Sequence, residues 1–178
     1  MISSSIFIHP ATWFLMGAVL LPFLNKRTGL KKVVLIAVPL IAFSLIHWLP
    51  DSFGQVSYMG FDLVFGRVDQ LTRVFLHVFT IMAVIGCIYG LHIEETGQHI
   101  AAFLYVAGSL GVTLCGDYLT LFIFWELMAF ASTFLVWYRK KRRSIEAGFR
   151  YLLVHTAGGL VLLAGIFLRY KNVHDLSF

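Results

Sequence analysis

The chain has 178 residues, of which 59% are hydrophobic and only 13% are charged, with a mean hydropathy of +0.83. A soluble domain carries about 25% charged and about 45–50% apolar residues, so a soluble domain is excluded and lipid is the solvent that fits. The net charge of +5 does not imply nucleic acid, because the basic residues gather in two short clusters at helix ends, where membrane topology places them.

A helix needs about 20 apolar residues to cross the hydrocarbon, and six stretches of the chain qualify. They predict an all-α membrane protein, one membrane domain over residues 1–178. The first stretch is 6–24. Residues 1–12 hold no Lys or Arg, and Lys26-Arg27 follow the apolar run. A secretory signal peptide has the opposite order, so this segment is expected to remain as a mature helix. The second stretch is 33–49. After it, Asp51 to Arg73 forms the longest non-membrane segment. Val56 to Met59 and Phe61 to Phe65 favour strand, with Gly60 placed to turn between them, which predicts a short hairpin on the outer surface. The third stretch is 74–93 and the fourth 99–115, where Ala107 and Gly111 share a face. The fifth is 118–138. The sixth is 147–170, with Gly158, Gly159 and Ala164-Gly165 inside it. Small residues at such positions let helices approach closely in lipid.

Orientation follows from the loops. Lys26, Arg27, Lys31 and Lys32 lie between the first two stretches, and Arg139 to Arg143 between the last two. Six helices put both clusters on one side, which the positive-inside rule makes the cytoplasm. Glu94 and Glu95 share that side and weigh little in the rule. Both termini are then outside. Trp13, Trp48, Trp137, Tyr138 and Tyr170 fall near helix ends, as an interfacial belt does. Cys87 and Cys115 form no CxxC pair and read as small apolar fillers.

Glu126 is the sharpest chemical feature. It sits in Leu121-Phe122-Ile123-Phe124-Trp125-Glu126-Leu127-Met128, near the middle of the fifth stretch. A charge at that depth costs roughly 3 kcal/mol unless paired, protonated or wetted. A carboxylate held between apolar surroundings and a nearby cation can take up and release a proton; the plain alternative is a glutamate that holds helices together. Arg150, early in the sixth stretch, either snorkels to the interface or tunes an acid such as Glu126. His155, near mid-depth and followed by Thr156, is packing or a relay. A haem would need two histidines on facing helices at matched depth. Only His77 and His155 lie well inside, since His47 and His92 are near helix ends. Asp117, directly before the fifth stretch, is explained as a helix N-cap.

The run Gly116-Asp117-Tyr118-Leu119-Thr120-Leu121-Phe122-Ile123-Phe124-Trp125-Glu126-Leu127-Met128 resembles the antiporter-like proton-translocating membrane subunits. These occur in respiratory complex I, multisubunit cation/proton antiporters and membrane-bound hydrogenases. Glu146 to Leu160 is similar to that family's sixth helix, and Phe65-Gly66-Arg67-Val68-Asp69-Gln70-Leu71 to the segment before its third. The resemblance is strong from about Phe61 onward. It implies that Glu126 is the fifth-helix glutamate, which in the family pairs with a seventh-helix lysine. Arg150 stands where many relatives have lysine; arginine keeps the charge but hardly deprotonates. Family members have about fourteen helices, including inverted repeats, whereas this sequence stops after the sixth. The seventh-helix lysine and the second half-channel are absent from it.

The resemblance implies an N-terminal portion of a subunit in an inner-membrane complex that moves protons, or exchanges monovalent cations for them, coupled to redox chemistry or antiport. Glu126 is the expected titrating residue, with Arg150 and His155 as tuners. No cofactor or metal of its own is expected. The expected partners are lipid and other membrane subunits, one of them supplying the missing helices. A scaffolding subunit without an ion path is the first alternative, and a haem-binding anchor the second.

Overall fold

The computed structural model describes residues 7–58 and 60–178; Ile6 and Met59, placed above in the first helix and the hairpin, lie outside the described residues. Helix α1 spans Pro10–Leu20 and tightens into a 3-10 turn over Leu21–Leu24. Pro22 within that turn lacks the N–H that the α ladder would need. Helix α2 spans Thr28–Leu45 and also ends in a 3-10 turn, Ile46–Trp48. Strands β1 (Ser52–Tyr58) and β2 (Phe61–Arg67) form an antiparallel hairpin. Helices α3 (Gln70–Gly90), α4 (Thr96–Leu114), α5 (Tyr118–Trp137) and α6 (Arg142–Val173) follow. Helices α2 to α6 are each long and apolar enough to cross a membrane, and the chain is a multi-pass membrane protein.

Helices α2, α3, α4 and α6 start earlier than the apolar windows. Helix α2 begins at Thr28 rather than Val33, and α6 at Arg142 rather than Ala147. Hydropathy marks where side chains suit lipid, but the backbone ladder continues into the wet interface. Lys31, Lys32, Arg142 and Arg143 therefore belong to the first turns of helices and not to loops.

The core lies between α1, α2, α3 and α4. Phe14 and Phe103 meet edge to face with centroids 5.3 Å apart. A side chain at Gly17 would strike the Phe103 ring and Val38, so glycine sets the α1–α4 spacing. The α4–α5 crossing is closer still. A Cβ at Gly108 would press on Met128 and on the Phe124 carbonyl, and one at Gly111 would enter the Phe124 ring. Ala107, expected to share a packing face with Gly111, is fully buried in the apolar core with Phe14 and Phe103.

The hairpin does not lie loosely on a surface. Its connection uses Gly60 at φ +82°, a left-handed conformation that glycine adopts without strain. Phe53 and Leu63 are buried, and the Phe53 ring occupies the space where Gly66 would carry a side chain. His9 ties this hairpin to α1. Its Nδ1 accepts from the Ala11 N–H at 3.1 Å, and its Nε2 lies 3.1 Å from the Phe65 carbonyl. An accepting Nδ1 requires the proton on Nε2, so both contacts select one neutral tautomer.

The two ends of the bundle differ in chemistry. One end gathers His9, the hairpin and the α4–α5 turn. The segment after α6 joins it through the Tyr118 N–H to the Leu176 carbonyl at 3.0 Å. The other end gathers both basic clusters with Glu94 and Glu95: Lys31 Nζ donates to the Glu94 carbonyl at 2.6 Å, and Lys140 pairs with Glu95.

Candidate functional site

Helix α5 carries two acids that meet opposite surroundings. Asp117 is its N-cap, as the sequence suggests, and is completely buried. Its Oδ1 accepts from the Thr120 N–H at 2.7 Å, and its Oδ2 accepts from the Thr120 hydroxyl at 2.6 Å. Oδ2 also accepts from the Val64 N–H of β2 at 2.7 Å. That last bond, together with Gly116 N–H to the Val64 carbonyl at 2.8 Å, clamps the hairpin to the start of α5. Capping was legible from sequence; the grip on β2 needed the third dimension.

Glu126 stands nine positions further along, about 14 Å up the helix axis. Its Oε1 is buried and has no hydrogen-bond partner among the described residues. The carboxyl group lies directly against Gly159 of α6, where any Cβ would overlap Oε1. Glycine at 159 thus makes a notch for the carboxyl. The sequence reading took Gly159 as a packing glycine only. The signal that could have found its partner is the antiparallel seam: Trp137 lies on Gly148, and counting back along α5 while counting forward along α6 brings Glu126 to Gly159.

His155 is one turn before Gly159 on nearly the same face of α6. It is half-buried, with its ring 5.8 Å from that of Trp125 and 5.5 Å from that of Tyr151. The Ser132 hydroxyl donates to the Tyr151 oxygen at 3.0 Å. Ser132, Tyr151, His155 and Glu126 therefore form a broken polar row along the α5–α6 seam, running inward from the basic end.

Arg150 is not part of that row. Nine residues before Gly159, at about 100° per residue, it projects from the opposite side of α6. It is exposed, and its Nε donates to the Glu146 carbonyl of its own helix at 3.4 Å. The histidine pairing that a haem needs is not assembled either. His77 packs against His47, centroids 5.2 Å apart, and against Phe43, whereas His155 packs in the α5–α6 seam. Among the described residues no group of three or more His, Cys, Asp or Glu is placed to hold a metal ion.

Comparison with known proteins places this geometry. Residues 115–178 match the family described as NADH:quinone oxidoreductase/Mrp antiporter, transmembrane, and the resemblance carried by the Trp125-Glu126 motif holds. Subunit A1 of a Na(+)/H(+) antiporter from Staphylococcus aureus is 26% identical over 162 residues, covering 88% of this chain and 19% of the relative. The chain thus spans about a fifth of the length of the curated relatives it matches. The archaeal membrane-bound sulfane sulfur reductase shares the fold with a TM-score of 0.80 at 19% identity, covering 94% of this chain and 37% of that one. The Mrp complex from Dietzia sp. DQ12-45-1b gives 0.75 at 24% identity, over 97% of this chain and 20% of that one. Respiratory complex I from Thermus thermophilus gives 0.74 at 14%, over 94% and 38%. Each match covers a part of a subunit in a multisubunit membrane complex.

Proposed function

We propose that this antiporter-like chain is part of a subunit in a membrane complex that translocates protons, or exchanges monovalent cations for protons, and that Glu126 is its titrating residue. One observation carries the reading: a mid-helix carboxyl oxygen is buried, without a donor among the described residues, in a notch kept open by Gly159. A buried acceptor without a partner costs about 1–3 kcal/mol, and a fold retains such a cost where the group is used. His155 and the Ser132–Tyr151 pair lead from the basic end toward Glu126. The basic end faces the cytoplasm and the hairpin faces out. Arg150, pointing away from the seam, acts on a neighbouring subunit or on lipid headgroups. Further helices from partner subunits complete the path, and redox cofactors, where the complex has them, belong to those partners.

The test is Glu126→Gln in the assembled complex. Gln keeps the volume and loses the titration. Translocation into sealed vesicles, followed with a pH-sensitive dye, is expected to fall to background while the complex stays assembled on a native gel. Unchanged translocation in that variant refutes the reading and leaves the scaffold, for which only packing at the exposed faces of α3 and α6 matters.

A further inference from the structure

A second polar site lies at the opposite end from the hairpin. A cavity of about 450 Å³ opens between the α1–α2 turn and the α3–α4 turn. Its polar lining is Asn25, Thr28, Lys31, Lys32, His92 and Glu94, and its inner wall is apolar, with Leu35, Leu91 and Ile93. We propose that this cavity binds a phosphate group, supplied by the headgroup of an anionic phospholipid whose acyl chains run along the apolar wall.

The donors converge for separate reasons. Lys31 is 5% exposed. Its ammonium donates to one acceptor, the Glu94 main-chain carbonyl at 2.6 Å, and it forms no salt bridge with a carboxylate among the described residues. A buried ammonium has three N–H groups to satisfy and favours a counter-anion. Asn25 is oriented by Thr96, whose hydroxyl donates to Asn25 Oδ1 at 2.6 Å. Its amide NH2 is the end left to donate. His92 donates its Nδ1–H to the Tyr89 carbonyl at 2.7 Å, so its Nε2 is an acceptor and His92 shapes the rim without supplying a donor to the anion. Helix α2 starts here without a side-chain cap, so its first-turn amides add positive character. Glu94 lines the cavity as well, but its side chain is exposed. Two lysines outweigh it.

The acyl source follows from position. The cavity sits at the end of membrane-spanning α2 and α3, where a lipid phosphate lies, and basic pockets between helices at that depth suit acidic headgroups. A neutral zwitterionic headgroup brings a compensating ammonium that Lys31 and Lys32 repel.

The experiment is native mass spectrometry of the full chain extracted from bilayers of equal phosphatidylcholine and phosphatidylglycerol, with inorganic phosphate added in a second series. The wild-type chain is expected to retain phosphatidylglycerol preferentially. Lys32→Gln and Asn25→Asp, both at exposed positions, are expected to lower that retention by about tenfold each, the loss of one donor contact to the anion. Lys171→Gln at the far end serves as control. Inorganic phosphate that displaces the lipid in the wild-type chain, and loses its hold in the same variants, keeps the anion pocket but assigns it a soluble anion. Equal retention of both lipids, or retention unchanged in Lys32→Gln and Asn25→Asp, overturns the proposal.

Discussion

Gly158 and Gly159 are neighbours in α6 that the structure separates completely, and exchanging each for alanine tests the Glu126 notch. At Gly158 nothing lies within 4 Å of an added Cβ. The substitution gains helix propensity, about 0.5–1 kcal/mol, and touches nothing else. At Gly159 the same methyl overlaps Glu126 Oε1. The gain in propensity remains, but overpacking costs about 1–3 kcal/mol. The obstructing atoms are the end of a flexible side chain, so the carboxyl swings aside and part of the cost is relieved. The net change in stability for Gly159→Ala is then between about 0 and 2 kcal/mol, a modest shift. The functional effect is not modest, because the carboxyl has left its position. Thermal unfolding of the purified chain in mild detergent measures the first quantity, and vesicle translocation by the assembled complex the second. Gly158→Ala is expected to equal or exceed the wild type in stability and to preserve transport. Gly159→Ala is expected to lose most transport at nearly unchanged stability. Equal behaviour of the two variants in both assays refutes the notch.

Two further outcomes follow from the same helix pair. Asp117→Ala strands the Val64 and Thr120 N–H groups and is expected to destabilise the chain by about 3 kcal/mol or more; hydrogen exchange at Val64 then rises before exchange in α4 does, and equal protection in both would refute the clamp. Tyr151→Phe removes the bond from Ser132 and is expected to cost about 0.5–1.5 kcal/mol, read by thermal unfolding, and to slow translocation less than Glu126→Gln does.

Much of this fold was legible because lipid simplifies the code. Apolar length alone marks a spanning helix, so α2 to α6 could be counted from the sequence, whereas the first stretch counted with them forms only the shorter apolar helix over Pro10–Leu24. The helix ends were misplaced at Thr28 and Arg142 because basic side chains there tolerate helix and interface equally well. The hairpin was visible in Val56 to Phe65 as alternation around Gly60, but its docking was not. That docking depends on Asp117, far away in sequence, and the Asp117 side chain carries the same capping signature whether or not it also reaches β2. At the site, Glu126 stood out by its cost. Its neighbour Gly159 did not, since a glycine that opens a notch and one that only packs look alike in one dimension. Arg150 shows the converse. Charge and proximity along the chain suggested a partner for Glu126, and helical phase set it on the other side of α6.

The two acids of α5 make the strongest argument for which one is used. Asp117 receives three donors within 2.7 Å, and each is a main-chain or hydroxyl group fixed by the fold. A carboxylate saturated in this way has its bonding capacity taken up by the fold. Its role is mechanical: it joins α5 to the hairpin, and through that to α1. Glu126 lies on the same rigid helix, so the clamp at Asp117 also sets its depth, yet its buried oxygen has no donor among the described residues. The fold thus fixes the position of Glu126 and leaves its chemistry unsatisfied. A purely structural glutamate would be expected to find a donor on α4 or α6, and α6 offers it Gly159, the one residue type with no side chain to give. On the proposed function, the group that meets that oxygen comes from outside this helix pair: a proton, a water or a side chain of another subunit.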